Sequence, residues 1–535
     1  MNAKDKVSDR QYYIVITLLL AVAVFLRFFK LTQLPYGIHV DEAGMGYDAW
    51  CLANFGTDRY AFHNPVYLIN FGGGQSALYA YLCAFLIKIT GGNLSLLLIR
   101  LPGAIMGIAV VIFGTMIIKR CMGKRAAIVG MTLLTICPYF IMHARFGLDC
   151  NLMLPVGTIA LFFMIMALEQ KKKFFWAISG LFFGIFLYTY ALSYIVLPLF
   201  LLFVFLYLLY CRQISRKDVL VFAIPLAVLA VPLLVFVGIN NGAGESIITP
   251  FFSIPALPGY RSGEFVFSLS KIMGNVDRLF DCIFFRDGLD YTAFSKYYTL
   301  YSITIPFAIL GICLGFYHLF CSLEKRTFRS ECLITFFFLA EFILGCILGS
   351  AGPSTYKLNG IFFSIIYFTT IGLLFSYRNC GKLKKGFAVI MGLIYLGNFL
   401  LFARCYFVQY KTNVYPQEHF ETSYQEAVRF LEEKEIDGKY YIYLEQQPYI
   451  YYFIDNLPSP EENGMQQVLS EMKGPYPVVR AYERMVFQMP DTISAEDSYI
   501  VKMADAYHME QIETSGYQFG KETIGDYVVY YSLKE

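Results

Sequence analysis

The chain has 535 residues, of which 57% are hydrophobic and only 16% charged, with a mean hydropathy of +0.53. An ordinary soluble protein has about 25% charged residues. With 51 Phe and 42 Tyr, the composition excludes a soluble fold, a disordered chain and a small disulfide scaffold. It predicts a polytopic α-helical membrane protein, and the net charge of +3 gives no indication of nucleic-acid binding.

Charge is distributed unevenly along the chain. Residues 410–535 contain 10 Lys/Arg and 22 Asp/Glu, a net charge of −12, whereas residues 1–409 carry +15. The acidic segment contains a helix-like SYQEAVRFLEEKE, strand-like KYYIYLE and PYIYYFI, a helix around residues 464–472, and a strand at YVVYYSL. We therefore expect a transmembrane domain over residues 1–409 and a small extracytoplasmic α/β domain over residues 410–535.

Apolar runs bounded by charged residues predict about eleven membrane spans. Lys4, Lys6 and Arg10 precede the first run and place the N-terminus in the cytoplasm. Residues 76–90 (SALYAYLCAFLIKIT) are too few and too polar to cross a bilayer comfortably, and a re-entrant segment there gathers all later basic loops on the cytoplasmic side. The predicted topology is multi-pass in the plasma membrane, with the C-terminal domain outside. The predicted spans are residues 12–29, 96–118, 126–142, 152–168, 174–190, 194–210, 219–238, 299–320, 331–349, 357–376 and 386–408.

In this topology four stretches of the membrane domain face outward, and they contain the candidate functional residues. The longest of them has the length of a loop that acts as a lid or is disordered. The four stretches are residues 34–75, 144–151, 240–298 and 349–357.

Asp41 and Glu42 follow the first span in the sequence His39-Val40-Asp41-Glu42-Ala43. Placing two adjacent carboxylates at a membrane face costs solvation energy, so their presence indicates a function. Neighbours on a helix point about 100° apart, so one carboxylate can face a reaction centre while the other orients it or caps a helix. We hypothesise that both are catalytic; the alternative is that Asp41 is the N-cap of a short interfacial helix.

Two basic residues on the outer face are candidates for binding a phosphate. Arg145, in the turn HARFGLDCN, is suited to a bidentate grip on phosphate, with Asp149 in a supporting role. Its alternative is an interfacial arginine paired with Asp149. Lys357, supported by Tyr356 and Asn359, opens the tenth predicted span, where Lys anchors are also common.

These features resemble the GT-C glycosyltransferases, and most nearly the bacterial members of the protein O-mannosyltransferase and aminoarabinose-transferase branch. The resemblance rests on the Asp-Glu pair after a single span, the re-entrant aromatic segment, the Arg145 turn, and the segment LFFGIFLYTYALSYIVLPLFLL. It covers roughly residues 10–400, and the acidic tail does not take part in it.

The resemblance implies an enzyme that takes a hexosyl or pentosyl group from a polyprenyl-phosphate and passes it to an extracytoplasmic acceptor. It implies that Asp41 is the catalytic carboxylate, Glu42 its partner, and Arg145 a contact to the donor phosphate. Phosphate is a good leaving group, so the chemistry needs a cation for its charge and one carboxylate base for the acceptor. That arrangement predicts direct displacement with inversion. Membrane lipid is the other expected partner, and the identity of the acceptor stays open.

No cofactor is expected, and a divalent cation held by Asp41 and Glu42 is the less favoured alternative. The 13 Cys form neither a CxxC motif nor a Cys/His cluster, so no zinc site is predicted. The main functional alternative is a polytopic transporter or flippase of a lipid-linked saccharide. It would require ionisable residues within spans and inverted repeats, yet Glu341 is the only such residue well inside a predicted span, and no repeat is found.

Overall fold

A computed structural model describes the chain at residues 7–71, 73–242, 244–257, 259–260, 265–284, 299–349, 352–410, 420–443, 448–460, 469–473 and 476–533. The chain folds into two compact units. The first combines Met1–Leu34, Arg100–Val235 and Ser262–Tyr415, and the second combines Pro35–Ile99, Phe236–Arg261 and Pro416–Glu535. The compact units therefore do not follow a single cut near residue 409, because the second unit takes in the first loop together with the acidic tail.

The described residues form helices and short strands that are labelled here in chain order. The helices are α1 (Asp9–Phe28), α2 (Val40–Phe55), α3 (Leu78–Ile89), α4 (Leu96–Met122), α5 (Lys124–Ile136), α6 (Pro138–Met142), α7 (Met153–Gln170), α8 (Lys173–Phe186), α9 (Ser193–Tyr210), α10 (Arg216–Asn241), α11 (Leu269–Phe284), α12 (Thr304–Glu324), α13 (Glu331–Ile347), α14 (Ile361–Asn379), α15 (Lys384–Phe407), α16 (Tyr424–Glu433), α17 (Tyr449–Asn456) and α18 (Ala506–Glu513). The strands are β1 (Ile38–His39), β2 (Tyr67–Leu68), β3 (Gln75–Ser76), β4 (Ile247–Ile248), β5 (Ser253–Ile254), β6 (Phe420–Glu421), β7 (Tyr440–Ile442), β8 (Leu469–Lys473), β9 (Tyr476–Tyr482), β10 (Met485–Val486), β11 (Ser498–Lys502), β12 (Phe519–Ile524) and β13 (Tyr527–Ser532).

The helices confirm a polytopic membrane protein. Among the described residues, eight helices are long and apolar enough to cross a membrane, or nine if the pair Lys124–Ile136 and Pro138–Arg145, bent by 62°, is one span. The other two predicted spans correspond to α8 and α13, which have 14 and 17 residues. The segment predicted to be re-entrant forms α3, whose 12 residues are too few to cross a bilayer.

Glycine allows α12 and α14 of the first unit to pack closely. A Cβ atom at Gly311 would overlap the carbonyl oxygen of Phe368, and one at Gly372 would overlap the carbonyl oxygen of Phe307. Small residues let helix backbones approach, which is how apolar helices gain packing energy inside a bilayer.

The acidic tail forms a seven-stranded mixed sheet in the order β12-β13-β11-β7-β10-β9-β8. The central strand β7 pairs in parallel with both β10 and β11, and the other neighbours are antiparallel. This confirms the predicted α/β domain. Its small core contains Tyr499, Val501, Ile512, Val528 and Tyr530.

Two local predictions in the tail were wrong. The run PYIYYFI, predicted as a strand, lies in α17, since a short apolar run has no periodicity that separates a strand from a buried helix, and Pro448 precedes the first helical residue. Residues 469–473 form β8 rather than the end of a helix, and residues 461–468 lie outside the described part of the chain. The predicted helix SYQEAVRFLEEKE and the strands at KYYIYLE and YVVYYSL are confirmed by α16, β7 and β13.

Backbone pairing joins the first loop to the acidic tail. In the antiparallel pair β1–β6, Ile38 lies opposite Glu421 and His39 opposite Phe420. The Tyr47 hydroxyl on α2 also donates to the Pro458 carbonyl oxygen at 2.5 Å. Paired strands must lie on the same side of a membrane, so the first loop and the C-terminal domain share one side. Which side this is stays a prediction.

Candidate active site

Helix α2 carries Asp41 and Glu42 in its first turn, and His39 is its N-cap. The His39 Nδ1 atom accepts a hydrogen bond from the Asp41 backbone N–H at 3.1 Å, and Glu42 Oε2 accepts from the His39 backbone N–H at 3.4 Å. The alternative that Asp41 is the N-cap is therefore wrong. Histidine is not among the preferred cap residues, but a Glu three residues after the cap is the capping-box signal that the sequence contained.

The two adjacent carboxylates have different surroundings. The Glu42 side chain is fully buried and belongs to the capping box, whereas the Asp41 side chain is 40% exposed. Asp41 Oδ1 accepts a hydrogen bond from Asn70 Nδ2 at 3.0 Å. The helix N-terminus further favours a negative charge at this place. Asp41 is thus the member of the pair that can meet a substrate.

A buried ion pair lies behind Asn70. Arg59 Nε donates to Asp48 Oδ1 at 2.9 Å and Arg59 Nη2 donates to Asp48 Oδ2 at 2.7 Å, a bidentate geometry. The same Nη2 donates to Asn70 Oδ1 at 2.9 Å. Asp48, Arg59 and Asn70 are all buried, and Phe71 covers the guanidinium with its ring centroid 5.5 Å from the Arg59 Cζ atom. Sequence reasoning missed these residues because their meeting depends on the fold of the whole loop.

The C-terminal domain brings a tyrosine and a further carboxylate to this region. Burial raises the pKa of Tyr451 well above its usual value, and the negative charges of Glu421, Asp41 and Glu42 act in the same direction. Glu421 itself accepts a hydrogen bond from the Tyr527 hydroxyl at 2.7 Å. The tail therefore forms part of the surroundings of Asp41, which the sequence did not indicate.

Arg145 lies in the other unit and is fully buried. Its Nη1 donates to the carbonyl oxygens of Leu26 and Arg27 at 2.8 and 3.1 Å, and its Nη2 donates to those of Phe29 and Leu34 at 2.7 and 3.3 Å. The carbonyls in the last turn of α1 have no partner within the helix, so Arg145 caps that helix. Its role as a donor-phosphate contact stays a prediction, and it competes with this structural role.

Asn359 connects two of the predicted outer stretches in the same unit. Its Nδ2 donates to the carbonyl oxygens of Cys150 and Tyr356 at 2.7 and 2.8 Å, and its Oδ1 accepts from the Tyr139 hydroxyl at 2.5 Å. These bonds join the turn that contains Asp149 to the segment that contains Tyr356. The supporting role of Asn359 in a donor site stays a prediction.

Lys357 and Asp149 differ in their access to solvent. Lys357 is half-buried, and its Nζ donates to the Gly352 carbonyl oxygen at 3.2 Å and lies 5.8 Å from the Tyr356 ring centroid. Asp149 is buried, and its Oδ1 accepts from the Cys150 backbone N–H at 2.7 Å. Lys357 is therefore the more accessible of the two side chains.

The structure thus groups the predicted site residues in two sets. Asp41 and Glu42 lie in the second unit, and Arg145, Asp149, Tyr356, Lys357 and Asn359 lie in the first. Within the described ranges, no three His, Cys, Asp or Glu side chains are grouped as metal ligands would be. Catalysis without a metal stays a prediction.

The chain was compared with known protein families and solved structures. Residues 75–237 match the family model described as dolichyl-phosphate-mannose-protein mannosyltransferase. The structure is similar to ArnT from Cupriavidus metallidurans in the apo state, with a TM-score of 0.59 at 13% identity, covering 98% of both chains. The chain has the fold of the GT-C glycosyltransferases.

Two further solved structures share this GT-C fold. ArnT from Cupriavidus metallidurans bound to undecaprenyl phosphate matches with a TM-score of 0.53 at 12% identity, covering 98% of both chains. The Archaeoglobus fulgidus oligosaccharyltransferase in complex with zinc and sulfate matches with a TM-score of 0.54 at 14% identity, over 97% of this chain and 73% of that chain. No curated protein sequence matched the chain significantly. The family match and the GT-C fold together support a membrane glycosyltransferase.

Proposed function

We propose that this protein transfers a sugar from a polyprenyl-phosphate donor to an acceptor on the extracytoplasmic face of the plasma membrane. Asp41 is the general base, and the transfer inverts the anomeric centre. The carrier lipid is suggested by the mannosyltransferase family match and by the ArnT structure that contains undecaprenyl phosphate. Membrane spans suit such a donor, because they can hold its prenyl tail while the sugar phosphate reaches the first loop.

The observation that carries this proposal is the difference in exposure between Asp41 and Glu42. Glu42 is buried in the capping box, and Asp41 is 40% exposed with one oxygen held by Asn70. A general base must be both fixed in orientation and open to the acceptor. Asp41 meets both requirements, and Glu42 acts by holding the start of α2. That assigns Glu42 a positioning role rather than contact with the substrate.

The proposed step is a single displacement. The Asp41 carboxylate takes the proton of the acceptor hydroxyl while the acceptor oxygen forms a bond to the anomeric carbon. The bond between that carbon and the phosphate oxygen breaks, and the electron pair leaves with the polyprenyl phosphate. Attack opposite the leaving phosphate inverts the configuration, and the proton ends on Asp41, from which water removes it.

The leaving phosphate requires a cation, and Arg145 and Lys357 are the two candidates from the sequence. Lys357 is half-buried, whereas Arg145 is fully buried and its terminal nitrogens bind four carbonyl oxygens, so Lys357 is the one more accessible to a ligand. A charge-assisted contact to phosphate contributes about 1.5–3 kcal/mol. Lys357→Met should therefore weaken carrier binding about ten- to a hundredfold, which binding of undecaprenyl phosphate in nanodiscs would measure.

The central test replaces Asp41 by Asn. A panel of synthetic polyprenyl-phosphate hexoses and pentoses is supplied to the protein in proteoliposomes with an extract of cell-envelope acceptors, and loss of sugar from the carrier is measured. Asp41→Asn should lower turnover by about 10²–10⁴, because it keeps the shape but removes the base. Undecaprenyl phosphate binding and the thermal midpoint should stay unchanged. The matched control is Asp491→Asn, which makes the same chemical change at an exposed carboxylate of the same unit.

The outcomes separate the proposal from its alternatives. Normal turnover by Asp41→Asn would remove Asp41 as the base. A wild-type protein that moves the lipid-linked sugar across the bilayer without transferring it would instead identify a flippase. The anomeric configuration of the product, compared with that of the donor by NMR, tests inversion.

A further inference from the structure

A second group of residues, behind Asp41, links the base to a buried ion pair. Asp48 accepts two hydrogen bonds from the Arg59 guanidinium, Arg59 donates to Asn70 Oδ1, and Asn70 Nδ2 donates to Asp41 Oδ1. Each of these contacts is between 2.7 and 3.0 Å long. The four side chains form one connected path from the protein interior to the exposed carboxylate.

The chemistry of this path fixes which way the Asn70 amide points. A guanidinium has only donors, so the amide oxygen must face Arg59, and the amide nitrogen must then face Asp41. An amide N–H can only donate, so it favours the form of Asp41 that accepts. The ionised carboxylate accepts at both oxygens, whereas the protonated form carries an O–H donor on one of them. Because Asp48 neutralises Arg59, the path transmits orientation to Asp41 more than net charge.

The other titratable groups near the Asp41 carboxylate are His39, whose Nδ1 lies 3.8 Å from Asp41 Oδ2, and Tyr451 and Glu42. Substitution of Asn70 leaves all three in place.

Two local features hold Asn70 at this place. It starts the turn between β2 and β3, where its backbone carbonyl accepts from the backbone N–H groups of Gly73 and Gly74 at 3.1 and 3.2 Å. Gly44 lies one turn after Asp41 on α2, and a Cβ atom there would lie 2.7 Å from both Arg59 Nη2 and Asn70 Oδ1. The absence of a side chain at Gly44 therefore leaves room for this path beside the helix that carries the base.

We propose that Asn70, held by Arg59 and Asp48, is a positioning residue that orients the Asp41 carboxylate and keeps it ionised for proton abstraction. This rests on the proposed function, since it assumes that Asp41 is the base. A role limited to folding would not depend on the protonation of Asp41. The pH dependence of turnover therefore distinguishes positioning from simple structural support.

The variant that tests this proposal most directly is Asn70→Asp. It keeps the shape and the acceptor for Arg59, so the ion pair stays satisfied, but it replaces the N–H that faces Asp41 by a carboxylate oxygen. Like charges at hydrogen-bonding distance disfavour joint ionisation, so the acidic limb of the kcat profile should move to higher pH by about 1–2 units. At pH values below the acidic limb, turnover of the variant should be about ten- to a hundredfold lower than that of wild type. KM and the thermal midpoint should stay close to the wild-type values. Asn93→Asp, an exposed position in the same unit that contributes none of these bonds, is the charge-matched control and should keep the wild-type profile.

Gly44→Ala tests the same path from the helix side. Alanine favours a helix over glycine by about 1 kcal/mol, so α2 itself gains stability. The added methyl group must displace the ends of the Arg59 and Asn70 side chains, and turnover should fall although the thermal midpoint does not. Gly238→Ala is the control, since Gly238 is also a helical glycine, in α10, and nothing lies within 4 Å of a Cβ atom there.

A spectroscopic measurement makes the test independent of the donor. Infrared difference spectra recorded against pH in nanodiscs contain carboxyl bands, and the band that disappears in Asp41→Asn belongs to Asp41. Its midpoint should rise in Asn70→Asp by the same amount as the acidic limb of turnover. If Asp41→Asn is inactive while Asn70→Asp keeps the wild-type limb and band, this inference is overturned and the proposed function stands. If Asp41→Asn is fully active, both are overturned.

Discussion

Asp58 is a buried carboxylate of the first loop that takes no part in the path to Asp41. Its Oδ1 accepts hydrogen bonds from the backbone N–H groups of Tyr60 and Phe62, both at 2.9 Å. Burial raises the pKa of Asp58 from 3.8 to about 7, and the nearby charge of Asp48 acts in the same direction. The folded protein therefore keeps a proton on Asp58 that the unfolded chain loses above pH 3.8.

This shift predicts how the stability of the second unit depends on pH. Because the pKa is raised on folding, the free energy of unfolding falls as the pH rises from 3.8 to about 7 and is constant above that range. Asp58→Asn keeps the Oδ1 acceptor and cannot ionise, so its thermal midpoint should exceed that of wild type at about pH 8 and match it near pH 4. Thermal scans across this range check the prediction. A gap between the two proteins that does not change with pH would contradict it.

Arg145 has two roles that predict different results. It satisfies four carbonyl oxygens, two in the last turn of α1 and two in the segment after it, and each one left buried without a partner costs about 1–3 kcal/mol. Arg145→Lys keeps the charge but cannot reach all four, so we expect a lower thermal midpoint with undecaprenyl phosphate affinity retained. The measurement is a thermal scan together with carrier binding in nanodiscs. A ten- to hundredfold loss of affinity at an unchanged midpoint would instead support the phosphate contact.

At the scale of elements, the pair β1–β6 connects the tail to the start of α2. Gly37, directly before β1, has φ +84°, and a Cβ atom there would lie 2.6 Å from the Glu421 carbonyl oxygen and 2.7 Å from Thr422 Cγ2. The strand leads directly into His39, the N-cap of α2. The contact between the first loop and the tail at Gly37 therefore fixes the position of the first turn of α2, which contains Asp41.

Replacing Gly37 by Ala should loosen this pair. The variant adds a clash with the tail backbone to the strain of a positive φ, which alone costs about 1–3 kcal/mol. Turnover should fall, and hydrogen exchange at Ile38 and Phe420 should increase. Gly91→Ala has the positive φ of +97° without any neighbour within 4 Å, so it measures strain alone. Equal effects of the two substitutions would show that the approach to Glu421 has no functional role.

At the scale of the whole molecule, the first loop and the C-terminal domain share one side, and we predict that it is the extracytoplasmic side. Gln518→Cys, an exposed position of the tail, should react with an impermeant thiol reagent in intact cells, whereas Lys382→Cys, exposed between α14 and α15, should react only after lysis. Mass spectrometry of the labelled peptides excludes a contribution from native cysteines. Labelling of Gln518→Cys only after lysis would overturn the topology.

The sequence alone determined the membrane class, the apolar helices and the α/β tail, because hydrophobic composition and charge are properties of contiguous segments. Every predicted apolar run corresponds to a helix, and the segment predicted to be re-entrant is α3. The Asp41–Glu42 pair was also visible, since two adjacent carboxylates beside a span are unusual in any arrangement.

Tertiary structure alone decided how the candidate residues are used. Asp41 and Glu42 are neighbours in sequence, and only packing shows that one is exposed and the other buried. Asn70 meets Asp41 across 29 residues, and Arg145 meets the end of α1 across more than 110. Such contacts arise from the way distant segments pack, and no local pattern of residue types encodes them.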